Sequence, residues 1–140
     1  MPARLVAALL LFFAIGVSAC SDTMVSSSPD DEMPPATNTP TVGSTLNSFG
    51  FAVIADGFSL DETYVLDFSG DTLSLGLAVT DYQGGTASLE LYGAGDALLY
   101  QKDLGRNVAQ GTEQVAAQPE RAVLRFEGFT GLVALGISAN

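Results

Sequence analysis

The chain has 140 residues, with 16 acidic and 5 basic side chains and a formal net charge of −11. This length fits one small domain, and the negative charge argues against nucleic acid as a partner. The sequence has no His, so it lacks the commonest general base and transition-metal ligand. It has one Cys, which excludes an intrachain disulfide and a zinc site built from several Cys.

The first nineteen residues have the pattern of a secretory signal peptide. Arg4 gives a short positive start, an apolar run extends from Leu5 to Val17, and the small residues Ser18 and Ala19 precede Cys20. The apolar run is shorter than the roughly 20 residues of a membrane-spanning helix. We therefore expect a signal peptide at residues 1–19, cleaved before Cys20.

The cleavage region Val17-Ser18-Ala19-Cys20 resembles the bacterial lipobox. The resemblance implies that the Cys20 thiol receives a diacylglyceryl group and that Cys20 becomes the first residue, commonly with an acylated amine. Two such attachments suffice for stable membrane anchoring. Ser21 follows Cys20, and this resembles the outer-membrane class of lipoproteins in bacteria with two membranes. The alternative is ordinary secretion, because Val17 and Ala19 also suit the general signal peptidase.

The next segment, residues 20–47, is predicted to be a disordered linker that carries the lipidated Cys20 at its start. It is rich in Ser, Thr and Pro and contains few apolar side chains. Such a composition cannot bury enough apolar surface to offset the entropy of ordering the chain. The folded domain is therefore expected at residues 48–140.

That domain shows apolar residues with a period of two, which is typical of β-strands. The clearest run is Leu73 to Val79, in which large aliphatic residues alternate with small or hydroxylic ones. The pattern predicts an all-β domain, a small antiparallel β-sandwich of jelly-roll type. Its expected core is Leu66, Phe68, Leu73, Leu75, Leu77, Leu89, Leu91, Leu124, Phe126, Val133, Leu135 and Ile137.

Glycine-containing segments between the apolar runs predict the chain reversals. Residues 108–117 are ambiguous and fit a strand, a loop or one helical turn. The predicted turns are Asp56-Gly57, Ser69-Gly70-Asp71, Gly84-Gly85, Gly93 to Asp96, Gly105 to Asn107 and Gly128 to Gly131.

Part of the domain is similar to the pre-peptidase C-terminal type of bacterial β-sandwich. The matching residues are the run Tyr64 to Phe68, Gly70, the run Leu73 to Val79 and the run Leu89 to Gly93. The closing Gly-x-Tyr of that family has no clear counterpart. The resemblance implies an accessory module without catalytic activity.

Three tyrosines are the candidate ligand contacts: Tyr82, expected in a loop, and Tyr92 and Tyr100, expected on the polar face. The alternative is that they pair across strands within the sheet. We identify no catalytic residue, because no Ser or Thr has an evident activating base. We assign no cofactor and no metal site. Asp56, Asp61, Asp71 and Asp81 could supply some oxygen ligands to a structural Ca²⁺, but no Asp-x-Asp-x-Asp-Gly run supports one.

The sequence therefore predicts a non-enzymatic lipoprotein of the bacterial cell envelope, at the outer membrane if the cell has one. Its expected partners are the membrane, through Cys20, and an envelope glycan or protein. The alternatives are a small-ligand carrier with a cavity like that of a β-barrel, and a hydrolase accessory domain.

Overall fold

A computed structural model describes residues 36–140 of the chain. The predicted signal peptide, Cys20 and the linker up to residue 35 lie outside the described residues. Within residues 36–140, no helix is long and apolar enough to cross a membrane.

The described part is built from six β-strands and one short 3₁₀ turn. The strands are β1 (Thr41–Thr45), β2 (Ser48–Val65), β3 (Thr72–Tyr92), β4 (Leu98–Asp103), β5 (Val108–Ala116) and β6 (Arg121–Ala139). The 3₁₀ turn, Ala94–Asp96, connects β3 to β4. Residues 108–117, for which the sequence left three alternatives open, thus contain strand β5.

All six strands belong to one antiparallel sheet. Five of them follow the order β1-β2-β6-β3-β4, and β5 lies off this path and pairs with β3. The long strands β2, β6 and β3 lie at its centre, and β5 pairs with the first part of β3 while β4 pairs with the last part. The two ends of β3 therefore have different neighbours on the same side.

The sheet folds over on itself and forms a sandwich. Phe49 and Tyr64 lie fifteen positions apart on β2, a distance of about 50 Å in a straight strand. Their ring centroids are nevertheless 5.1 Å apart. The strand pairings shift at corresponding places in β2, β3 and β6, and these irregularities allow the long strands to bend.

The two layers are a five-stranded half and a four-stranded half. The five-stranded half has the order β1, start of β2, end of β6, start of β3 and β5. The four-stranded half has the order end of β2, start of β6, end of β3 and β4. The protein therefore contains a small all-β domain of the sandwich type, as the alternation predicted.

The apolar faces of both halves form one core. All twelve residues of the expected core are buried, and Leu77, at 8% exposure, is the most exposed of them. Aromatic side chains connect the layers: the ring of Phe126 lies 5.6 Å from that of Phe51 and 5.5 Å from that of Phe129.

Three of the predicted turns are wrong, because they are bends inside continuous strands. Asp56-Gly57 lies within β2, Gly84-Gly85 within β3, and Gly128 to Gly131 within β6. Glycines at these points have a positive φ, and this backbone conformation occurs in β-bulges as well as in chain reversals. The reversals expected at 69–71, 93–96 and 105–107 do connect consecutive strands.

The predicted boundary between linker and domain at residue 48 is also corrected. Strand β1 occupies residues 41–45. Asn38, which precedes β1 in the sequence, is also hydrogen-bonded to β2. The Asn38 amide donates to the Asp56 carbonyl and accepts from the Asp56 N–H, both at 2.8 Å. An edge strand needs backbone partners more than apolar side chains, so composition alone did not reveal it.

Candidate functional site: an ionic cluster and a groove on the four-stranded half

Glu90 is the only charged residue of the described part that is buried, with 8% exposure. It lies on β3 between the core residues Leu89 and Leu91, so its side chain faces away from the core. One carboxylate oxygen accepts hydrogen bonds from the Tyr92 hydroxyl and from Nη1 of Arg125, each at 2.8 Å, and the other accepts from Nε2 of Gln101 at 3.2 Å. The burial of this charge is thus compensated by three donors.

Arg125 extends this arrangement to β2. Its Nε lies 3.4 Å from a carboxylate oxygen of Asp61, its cross-strand neighbour. Glu90 is the main reason that the pKa of Arg125 is raised. Asp61, Arg125, Glu90 and Gln101, here called the ionic cluster, come from the four adjacent strands β2, β6, β3 and β4.

Tyr92 connects the ionic cluster to a second cation. Its hydroxyl donates to Glu90, and this hydrogen bond is the main reason that the pKa of Tyr92 is raised. The Arg121 guanidinium lies 4.7 Å from the centroid of the Tyr92 ring, in a cation–π contact, and 2.6 Å from Asp96. Tyr92 is therefore held by contacts within the chain at both its ring and its hydroxyl.

A groove of about 750 Å³ lies beside the ionic cluster. Asp61, Arg125 and Gln101 are shared between the cluster and the groove. Three carboxylates and one guanidinium line it, so hydrogen-bond acceptors and negative charge predominate. The complete lining is Leu60, Asp61, Thr86, Ala87, Ser88, Gln101, Asp103, Arg125, Phe126 and Glu127.

Tyr100 is not on the polar face, contrary to the prediction. It is paired with Leu91 and packs against the core. Its hydroxyl donates to Glu113 of β5 at 2.6 Å, and burial is the main cause of its raised pKa. Lys102 is also paired with Glu113 and holds the pKa of that carboxyl below its usual range. Tyr100 thus connects β4 to β5 across the end of the core.

Tyr82 is also placed differently from the prediction, because it lies within β3 and not in a loop. Its ring centroid is 5.8 Å from that of Phe129, and its hydroxyl donates to the Gly85 carbonyl at 2.8 Å. The structure therefore does not bring Tyr82, Tyr92 and Tyr100 together, and only Tyr92 belongs to the arrangement around Glu90.

Sequence reasoning missed the central role of Glu90. The Leu89-Glu90-Leu91 run shows that Glu90 faces away from the core, but exposure to solvent is the usual state of such a position. Its burial depends on Arg125 and Gln101 lying on the neighbouring strands. The opposite charges of Glu90 and Arg125 were the available signal, and it becomes visible only when the strand register is known.

Within its described residues, the structure does not bring three or more of Asp56, Asp61, Asp71 and Asp81 together. Within residues 36–140, no group of three or more Asp, Glu or Cys side chains is placed to hold a metal ion. Asp61, one of the four, instead pairs with Arg125.

Comparison with known proteins does not assign the chain to a family. No family model and no curated protein matches the chain. Among solved structures, it is similar to a chain from the disulfide-linked pili that form Bacillus endospore appendages. The identity is 14%, the match covers 84% of this chain and 98% of that one, and the TM-score is 0.44. A likeness of this degree does not identify a function.

Proposed function

We propose that the chain is the precursor of a bacterial envelope lipoprotein, anchored through Cys20, whose β-sandwich is a non-catalytic binding module. The groove beside the ionic cluster is its binding site. The observation that carries the binding proposal is that side chains from four strands are held there in fixed positions by mutual hydrogen bonds and ion pairs. Such preorganisation lowers the entropy lost on binding.

The lining of the groove favours a ligand rich in hydrogen-bond donors. Asp61, Asp103 and Glu127 attract a cation, and Arg125 already faces two carboxylates. The hydroxyls of Thr86 and Ser88 and the amide of Gln101 can bind ligand hydroxyls. Leu60 and Phe126 offer apolar contact for C–H groups. An envelope glycan that carries amino groups combines all three features.

The engagement of Glu90 and Asp61 within the ionic cluster argues against catalysis by these two carboxylates. A general acid or base needs a lone pair or proton directed at the substrate. Both oxygens of Glu90 accept hydrogen bonds within the chain, and Asp61 is paired with Arg125. The chain has no His that could replace them.

The carrier alternative has less support. The concavity between β3, β4 and β5, lined in part by Leu75, Leu89 and Tyr100, has a volume of about 100 Å³. Pockets for small ligands usually measure about 300–1,000 Å³. The large side chains of the core fill the space between the layers that a carrier would need.

The anchor is tested by replacing Cys20 with serine in the full chain. Because lipidation requires the thiol, C20S is expected to lose the acyl groups and to leave the membrane fraction or to remain unprocessed. Incorporation of labelled palmitate and fractionation of cells measure both effects. Incorporation of labelled palmitate into the C20S chain at the level of the parent would refute the lipoprotein proposal.

The groove is tested by calorimetric titration with glucosamine oligomers and, separately, with their N-acetylated forms. The amine form is expected to bind more tightly, and Asp61→Asn is expected to weaken its binding about tenfold through loss of a charged hydrogen bond. Thr112→Ala, at an exposed position of β5 outside the groove, is the matched control. Equal binding of the amine form by both variants would place the site elsewhere. Failure of both oligomers to bind the parent would favour a protein partner.

A further inference from the structure

The sandwich has four free strand edges within residues 36–140. The five-stranded half ends at β1 and β5, and the four-stranded half ends at β4 and at the last part of β2. Each free edge presents backbone N–H and C=O groups on which another strand can add. The four edges differ in how they are protected against such pairing.

Three of the edges carry features that oppose pairing. β4 contains Lys102 and Asp103, and β5 contains Glu113 and a shift in its register with β3. The last part of β2 contains Asp61 and Glu62 and follows two register shifts. Charged side chains and bulges on an edge strand are the common means by which proteins prevent another strand from adding.

The fourth edge, β1, has none of these features. Its sequence Thr-Val-Gly-Ser-Thr contains no charged residue and no proline, all five residues are exposed, and its register with β2 is unbroken. Thr and Val favour extended structure. β1 is therefore the edge best suited to pairing.

The β1–β2 hairpin determines which backbone groups of β1 point away from β2. A two-residue loop, Leu46-Asn47, connects Thr45 to its partner Ser48. The pair that closes such a loop exchanges both hydrogen bonds, and these bonded pairs alternate along an antiparallel ladder. Thr41, Gly43 and Thr45 therefore bond to β2, while the N–H and C=O groups of Val42 and Ser44 point outward.

The sheet face beside β1 is uncharged, although the chain as a whole is strongly acidic. Facing away from the core, β2, β6 and β3 align small residues in three rows across the strands. The rows are Ser48, Ser138 and Ser74; Gly50, Gly136 and Gly76; and Ala52, Ala134 and Ala78. A second copy of the chain, which has the same negative charge, meets the least repulsion at this side of the molecule.

Gly43 extends the glycine row onto β1, where it is paired with Gly50. A Cβ atom at Gly43 or at Gly136 would meet nothing within 4 Å, and neither glycine has a positive φ. The fold itself therefore does not require glycine at these positions. Glycine within a strand often marks a place where another backbone comes close.

We propose that β1 is a self-association edge, which pairs antiparallel with β1 of a second copy about a two-fold axis at Gly43. Val42 then exchanges hydrogen bonds with Ser44 of the second copy, and Thr41 lies beside its Thr45. The two Gly43 residues form a pair without hydrogen bonds, with Cα atoms about 4.5 Å apart. This surface is on the five-stranded half, so it is independent of the groove.

The geometry is tested by cross-linking, because two cysteines about 4.5 Å apart at Cα can form a disulfide. The full chain carrying Cys20→Ser and Gly43→Cys is exposed to a mild oxidant and examined on a non-reducing gel. Thr112→Cys in the same background, at an exposed position of β5, is the matched control. The Gly43→Cys chain is expected to give about tenfold more covalent dimer. Equal yields would overturn the proposal.

A second measurement avoids the new cysteine. Sedimentation velocity of the Cys20→Ser chain is expected to show a dimer that strengthens with salt, because salt screens the repulsion between acidic chains. Ser44→Pro removes an outward N–H without removing a bond to β2, and it is expected to weaken the dimer about tenfold.

Gly43→Asp serves as a second variant in case Ser44→Pro does not fold. It is expected to abolish the dimer by placing like charges opposite each other. Thr112→Asp is the control and is expected to leave the dimer intact. A monomeric parent, or a dimer unaffected by Gly43→Asp, would refute the self-pairing of β1.

Discussion

Replacing Phe126 with alanine is expected to lower the free energy of unfolding by about 3–5 kcal/mol, the usual range for a large aromatic side chain in a core. Phe126 is 4% exposed, and its ring lies within 5.6 Å, between centroids, of the rings of Phe51, Phe58 and Phe129. Phe51 belongs to the five-stranded half and Phe126 to the four-stranded half, so the substitution leaves a cavity between the layers. Urea unfolding of the Cys20→Ser chain measures the loss.

Two further variants serve as controls for Phe126→Ala. Val65→Ala, at a side chain that is 80% exposed, is expected to change the free energy of unfolding by less than about 0.5 kcal/mol. Phe126→Leu is expected to lower the free energy of unfolding by an amount between these two losses, because leucine retains part of the buried volume. If Phe126→Ala were as mild as Val65→Ala, the two halves would not be packed through this ring.

The alternation of Leu73, Leu75, Leu77 and Val79 was sufficient to predict both a strand and its buried face. Such a pattern has only one arrangement that removes all four side chains from water, since a helix would direct Leu75 away from Leu73 and Leu77. The same reasoning correctly identified the other core positions on β3 and β6. Local pattern was informative here because the face of a residue depends only on its parity within a strand.

The connections were harder to predict than the strands. Gly84-Gly85 has the composition of a turn, yet β3 continues through it to Tyr92. A hairpin and a bulge both use residues with positive φ, and the choice between them depends on whether β6 remains paired with β3 beyond that point. The paired residues of β3 and β6 are about forty positions apart in the sequence, so a local sequence pattern does not reveal their pairing.

The candidate site was predictable only in part, because it also depends on pairing between strands that are distant in the sequence. The sequence predicts Tyr92 as a ligand contact on the outward face, and the structure places it on that face because it directly follows the buried Leu91 on β3. Tyr100 was misplaced because the register shifts between Leu91 and Tyr92 where β4 pairs with β3. The cluster of Glu90, Arg125 and Gln101 depends on the order of the strands in the sheet, which side-chain periodicity does not specify.

The bends that fold the sheet are expected to be the most sensitive backbone positions in the domain. Gly85 has a φ of +86°, and a Cβ added to it would lie 2.4 Å from the Gly128 carbonyl oxygen and 2.5 Å from the Cα of Phe129. Both neighbours are backbone atoms of β6, so they cannot move away by rotating a side chain. Gly85→Ala must therefore displace one strand from the other where the sheet bends.

We expect Gly85→Ala to lower the free energy of unfolding by about 2–5 kcal/mol. About 1–2 kcal/mol comes from the left-handed conformation, and about 1–3 kcal/mol more comes from the forced displacement of the backbone. Gly128→Ala separates these two causes. Gly128 also has a positive φ, 56°, but a Cβ there would meet nothing within 4 Å. This control is expected to show only the conformational cost, and equal losses for both variants in urea unfolding would mean that β3 and β6 are not in close contact at the bend.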